Sequence, residues 1–224
     1  MEAKADALEI VLARIFAVFK GVGFRRLVER FVRRHYARGM TAEEITLKLR
    51  TNAIPDEDKV SLITDETHTE LSSLMDDLEK QYQQTIRESV RNNESPELIK
   101  KRLKTLMNPS GEVTHNYPSG RKMNWRDRLD MIQRTESNKA QNQGRLDTFK
   151  QSGLVGKKYL SVHEDERTSG ICQHMDGKYG KEELAIPADQ PFEVMVPKVG
   201  LVSAQSPPFH PNCRTRIMFA LPEE

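Results

Sequence analysis

The fold is decided by two stretches, YLSVHEDERTSGICQHMDGKYG at residues 159–180 and PPFHPNCRTR at residues 207–216. They contain both cysteines of the protein and three of its six histidines. The segment between them has the alternating pattern of a β-strand, so a sheet can bring the two stretches together. We therefore expect one composite site at one end of a small sheet.

Metal binding is the chemistry that these residue types favour. Cys172, His174, His210 and Cys213 offer thiolate and imidazole ligands, the donors that a tetrahedral zinc ion prefers. A disulfide between the two cysteines, or two buried thiols that pack as small apolar side chains, would explain the same pattern. No signal peptide is predicted, and in a reducing cytoplasm paired Cys and His indicate metal more often than a disulfide.

An ordered set of short motifs surrounds these residues and is similar to the phage Mu protein F-like family. The set comprises the triplet Arg134–Glu136, then Asn138, Ala140 and Asn142, then the D-x-R-T motif 165–168, Cys172, the Asp-Gly pair 176–177, and the PP-x-HPNCR motif 207–214. Each motif alone is weak, whereas their order is fairly specific.

The resemblance implies a minor capsid or head morphogenesis protein of a tailed virus or provirus. Such a protein would associate with the portal, other capsid components and packaged double-stranded DNA, in the virion and in the host cytoplasm during assembly. The recurrent family positions correspond to Asp165, Cys172, His210 and Cys213, which we predict to hold a structural zinc ion. His163 and His174 are alternatives to Asp165 as the fourth ligand.

The charge distribution singles out the N-terminal region. Residues 1–38 hold nine Lys and Arg against four Asp and Glu, a net charge of +5, so the rest of the chain carries −3 of the overall +2. Five arginines crowd one predicted helix: Arg25, Arg26, Arg30, Arg33 and Arg34. This basic face suits DNA phosphates or an acidic groove of a partner protein, and the alternative is an ordinary solvated face. Residues 7–19 are apolar but too short to span a membrane.

The hydrophobic periodicity predicts a mostly helical protein. Long helices are expected over residues 65–92, 95–106 and 125–151, and a capping box of Thr41 and Glu44 predicts a short helix to about Arg50. Strand patterns follow at 157–162, 192–196 and 214–220. The predicted fold class is α+β: a helical N-terminal region with a long helix, closed by a small antiparallel β-sheet that carries the Cys/His loops.

Two domains are predicted, with a boundary at Pro55. A helical arm covers residues 1–55, and the Mu F-like domain covers 56–224, helical over 65–152 and with the sheet over 157–220. The alternative function is a metal-dependent enzyme, a nuclease or effector carried in the head. The paired histidines that would activate water are missing from the motif, as is a group that would orient a catalytic cysteine, so the residues give little support to an enzyme. The assembly role is what the resemblance implies.

Overall fold

The computed structural model describes residues 14, 16–18, 21–49, 53–107, 115–116 and 122–221. Four long helices lead into the C-terminal region: α1 (Val22–Thr46), α2 (Glu57–Arg91), α3 (Pro96–Met107) and α4 (Trp125–Gln151). Between α3 and α4, the two-residue strands β1 (His115–Asn116) and β2 (Lys122–Met123) pair antiparallel. The described part of the chain has no helix long and apolar enough to cross a membrane.

The C-terminal region combines short strands with one more α-helix. In chain order they are β3 (Lys157–Ser161), α5 (Gly170–Tyr179), a 3₁₀ turn (Glu182–Leu184), β4 (Ile186–Pro187), β5 (Phe192–Val196), β6 (Gly200–Ala204) and β7 (Arg216–Ala220). With 62% helix and small antiparallel sheets, the predicted fold class is confirmed.

Helix α1 corrects one sequence prediction. Thr41 does not begin a separate helix, because α1 continues through it to Thr46. Tyr36 and Met40 are buried on this helix, and Gly39 lies so close to α4 that an added Cβ would stand 2.0 Å from the Gln141 carbonyl oxygen. The close contact with α4 therefore holds α1 together past the capping sequence.

Helix α2 begins at Glu57, eight residues before the predicted start at residue 65. The acidic residues 56–58, which follow the predicted boundary at Pro55, form the N-terminus of this helix: the Asp56 carboxylate accepts a hydrogen bond of 3.2 Å from the Lys59 amide. Glu57 and Asp58 occupy the first turn, where negative charge is favourable.

The chain divides into two compact units, residues 1–28 with 65–132, and residues 29–64 with 133–224. In the first unit, the apolar residues of α2 recur at steps of three and four, a spacing that predicts one buried stripe. Leu74, Leu78, Tyr82 and Ile86 are buried, and Leu71 at the start of the stripe is partly buried. The ring of Phe16 lies 5.9 Å from that of Tyr82, centroid to centroid. The domain boundary at Pro55 concerns independent folding and stays a prediction.

The second unit contains a three-stranded sheet in the order β4-β3-β7 and a separate β5-β6 hairpin. The predicted strand at 192–196 therefore pairs with residues 200–204 and does not join the sheet. Leu160 on β3 pairs with Ile217 on β7, and both are buried. Phe149 of α4 stacks on Phe219 of β7 with ring centroids 4.1 Å apart, which fixes α4 on the sheet.

The apolar periodicity of residues 7–19 predicts an amphipathic helix, and the turn residues of 108–120 predict a loop. Both segments lie largely outside the described part of the chain, which includes only residues 14 and 16–18 of the first and residues 115–116 of the second.

Candidate metal centre

Helix α5, which begins inside the first stretch, places Cys172. Ser169 is its N-cap: the backbone is extended there, with φ −68° and ψ 152°, and the Ser169 hydroxyl oxygen accepts a hydrogen bond of 3.2 Å from the Cys172 amide. The preceding turn is closed by a hydrogen bond of 3.0 Å from the Thr168 amide to the Asp165 carbonyl. The cap therefore fixes Cys172 in the first turn of α5.

A second turn places His210 and Cys213. The Cys213 amide donates to the His210 carbonyl over 3.2 Å, and Asn212 between them adopts the left-handed conformation with φ 61°. Asparagine tolerates this conformation better than most residues. The Asn212 amide donates to the Thr135 hydroxyl on α4 over 2.9 Å, which tethers the turn to that helix.

Two asparagines of α4 hold the chain that leaves this turn. Asn138 Nδ2 donates to the Cys213 carbonyl over 2.7 Å, and Asn142 Nδ2 donates to the Thr215 carbonyl over 3.2 Å. Asn142 Oδ1 accepts a hydrogen bond of 2.9 Å from the Ile217 amide at the start of β7. The polar run that carried the family resemblance on α4 thus positions the Cys213 segment, a role that the sequence pattern alone did not reveal.

Cys172, His210 and Cys213 come together in one group whose ligand atoms all lie within 4.8 Å of one another. Cys172 Sγ lies 3.0 Å from His210 Nε2 and 3.7 Å from Cys213 Sγ. Both cysteines are free and buried. The two sulfurs are too far apart for a disulfide bond, which measures about 2.05 Å.

The histidine presents the correct nitrogen to the sulfurs. His210 Nδ1 lies 2.7 Å from the Pro211 carbonyl oxygen, which can only accept a hydrogen bond, so Nδ1 carries the proton. Nε2 of the neutral ring is then an acceptor, and it faces Cys172 Sγ and the Ser169 hydroxyl. A histidine that ligates a metal is typically oriented in this way by a carbonyl at its other nitrogen.

The two thiols differ in their affinity for a proton. The hydrogen bond with Cys172 lowers the pKa of Cys213, against the opposing effect of burial. The same bond, together with burial, raises the pKa of the Cys172 thiol. Burial lowers the pKa of His210, but its interactions with Cys213 and the Pro211 carbonyl outweigh burial and raise it overall.

The spacing fits a tetrahedral metal ion. In a zinc site two sulfurs are about 3.8 Å apart, and a sulfur and a nitrogen about 3.5 Å apart. The observed distance of 3.7 Å between the sulfurs agrees with this geometry. The distance of 3.0 Å between Cys172 Sγ and His210 Nε2 requires an opening of about 0.5 Å for such a site. The donor set therefore suits a metal ion such as zinc.

The other predicted ligands lie outside the group. The Asp165 carboxylate forms a bidentate ion pair with Arg214, whose Nη1 lies 2.7 Å from Oδ2. This pairing is the main reason that the pKa of Asp165 is far below its usual range. His163 Nε2 is 3.6 Å from Asp165 Oδ2, and His174 Nδ1 lies 2.7 Å from the Gly170 carbonyl oxygen. Ligation by these side chains stays a prediction.

The five predicted basic residues separate into two kinds. Arg25 is paired with Asp65 over 2.7 Å, and Arg33 is paired with Glu57 over 2.8 Å and with Glu29 over 2.9 Å. Arg26, Arg30 and Arg34 are exposed. Arg30 and Arg34 are four residues apart on α1, and Arg38 follows after another four. Arg38 is also exposed, and the sequence prediction did not include it.

Comparison with known proteins gives one family. The family model described as Phage Mu protein F like protein matches residues 27–218. No curated protein and no solved structure matches the chain. The matched range includes every motif on which the sequence resemblance was based, so the resemblance is confirmed.

Proposed function

Because the chain belongs to the Phage Mu protein F like family, a family of phage head morphogenesis proteins, we propose that it is a minor capsid protein of a tailed virus or provirus. In this role it associates with the portal vertex and with packaged DNA while the head is assembled. The observation that carries the proposal is the family match over residues 27–218.

The DNA contact is assigned to a basic stripe on α1, formed by Arg30, Arg34 and Arg38. The three side chains are exposed, and none forms an ion pair within the described part of the chain. They recur every four residues, so successive guanidiniums project from the same helix face about 6 Å apart along the axis. The buried residues Tyr36 and Met40 occupy a different face of the helix.

Charge and exposure support phosphate as the ligand of this stripe. Burial lowers the pKa of the neighbouring His35, and the positive charges of Arg38 and Arg34 lower it further. The surface of α1 along the stripe is therefore positive, because all three of its positions are arginines and none is acidic. Such a stripe holds the DNA backbone without reading bases.

The Cys/His/Cys group is assigned a structural role. A zinc ion on Cys172, His210 and Cys213 would join the turn before β7 to the start of α5. The ion would thereby link two segments about forty residues apart in a unit with small sheets, where few other contacts have comparable strength.

Reconstitution with the portal tests the proposed function. The purified protein is mixed with portal rings, and separately with plasmid DNA in the presence of Mg²⁺ or Zn²⁺. We expect co-purification with the rings and intact plasmid. Plasmid cleavage that disappears in a His210→Ala variant, with no portal binding, would overturn the assembly role and establish a metal-dependent nuclease carried in the head.

A further inference from the structure

A polar cleft opens beside the proposed metal site. Cys172 and His210 line it from the side of the site, and Arg167, Asn212 and Arg214 line it elsewhere. Two of the three candidate ligands thus border a space that is open to solvent.

The group provides three ligands, whereas zinc in proteins takes four. Among the residues that the structure describes, no fourth His, Cys, Asp or Glu belongs to the group. The predicted fourth ligand, Asp165, has both carboxylate oxygens engaged by Arg214. A site with three protein ligands beside an open space is the arrangement in which zinc keeps an exchangeable position.

We propose that a metal ion on Cys172, His210 and Cys213 takes its fourth ligand from the cleft, as a water molecule that small anions displace. This inference rests on the metal site proposed above. The fourth ligand is therefore not a side chain of the described residues, and the centre is chemically accessible from solvent.

Two further residues of the cleft support an exchangeable ligand. Asn212 lines the cleft, and its Oδ1 is buried without a hydrogen-bond partner in the described part of the chain, so this acceptor favours a water molecule in the cleft as its donor. Arg167 is exposed, and its guanidinium has no ion pair there, whereas the Arg214 charge is balanced by Asp165. The free positive charge of Arg167 favours an anion in the cleft.

Cobalt substitution tests this proposal by spectroscopy. Co²⁺ is loaded into the metal-free full chain, and the visible absorption of the tetrahedral ion and its thiolate charge-transfer bands are recorded during titration with azide. We expect a saturable change of the visible bands. Replacing an exposed charge changes affinity modestly, so Arg167→Gln should weaken azide binding about two- to five-fold. The control Arg216→Gln removes an exposed arginine on β7 and should leave it unchanged.

The outcomes separate this inference from the metal site itself. Failure to bind Co²⁺ or Zn²⁺ would refute both the metal site and the exchangeable fourth position. If the cobalt protein shows thiolate bands that azide does not change, the metal site stands and the exchangeable position is refuted. A change of the visible bands in Asp165→Asn without azide would assign the fourth ligand to Asp165 and overturn the proposal, whereas an unchanged spectrum supports it.

Discussion

The basic stripe gives a prediction in which two variants with equal charge behave differently. Arg30→Gln with Arg34→Gln removes two exposed guanidiniums of the stripe, neither of which forms an ion pair with a described residue. Arg25→Gln with Arg33→Gln removes two guanidiniums that are already paired with carboxylates. The hydrogen bonds of Arg33 with Glu57 and Glu29 raise the pKa of Arg33 further. Both variants lower the net charge by two.

The magnitude follows from counterion release. Each phosphate contact on double-stranded DNA contributes about −0.9 to the slope of log K against log salt concentration. The loss of Arg30 and Arg34 should therefore reduce the slope by about 1.8 and weaken binding about 60-fold near 0.1 M salt. The paired arginines contact carboxylates of the protein itself, so we expect their loss to change the slope by much less than one unit.

Fluorescence anisotropy with DNA duplexes of several sequences, over a range of salt concentrations, measures both slopes. The weakening should be uniform across sequences, because phosphate contacts carry no sequence information. Equal slope changes in both variants would show that binding follows net charge and would refute the assignment of the stripe. No change in either would remove DNA as the partner. Leu27→Ser then tests whether the portal binds this helix through apolar contacts, because the Leu27 side chain is 59% exposed there.

Three further predictions concern stability. Cys213→Ser should lose the metal and unfold the β3-β7 region while the helices persist, because structural zinc contributes on the order of 10 kcal/mol to folding. Metal analysis with circular dichroism checks this prediction. A native protein without metal and with oxidised cysteines would contradict it. Gly39→Ala should destabilise the protein by about 1–3 kcal/mol, because the added Cβ would meet the Gln141 backbone. The control Gly23→Ala should leave the stability unchanged, because the space around its Cβ is open. Equal melting temperatures of the two variants would refute the close contact. Burial, followed by the charge of Lys150, lowers the pKa of Lys158 to about 8 from 10.5, so the folded state releases a proton that the unfolded state keeps between these values. The stability of the native protein relative to Lys158→Met should thus rise with pH across that window by up to about 3 kcal/mol, and parallel curves in chemical denaturation at several pH values would contradict the burial of a charged amine.

The sequence determined the features that depend on local patterns. Apolar residues at steps of three and four on α2 predicted its buried stripe, and Leu74 and Leu78 are buried there as the pattern requires. The order of the motifs identified the family. Chemical type selected Cys172, His174, His210 and Cys213 as candidate ligands, because thiols and imidazoles in two short turns have few common uses besides metal. The family resemblance retained Cys172, His210 and Cys213, the three that the fold brings together.

Element boundaries were decided by tertiary contacts. The capping box at Thr41 is a local signal, but the close approach of Gly39 to α4 keeps α1 helical through it. The strand at 192–196 shows the same limit, since alternation predicts a strand without predicting which strand it pairs with. Pairing depends on the position of the whole chain in space.

The sites were likewise completed only by the fold. Arg25 and Arg33 look the same as Arg30 and Arg34 in the sequence, yet among the described residues only Arg25 and Arg33 of these four meet carboxylates. Asp165 is equally suited to bind metal or an arginine, and the fold places Arg214 beside it. An ionic side chain acts according to the charges that surround it, and those charges come from segments that only the tertiary structure brings near.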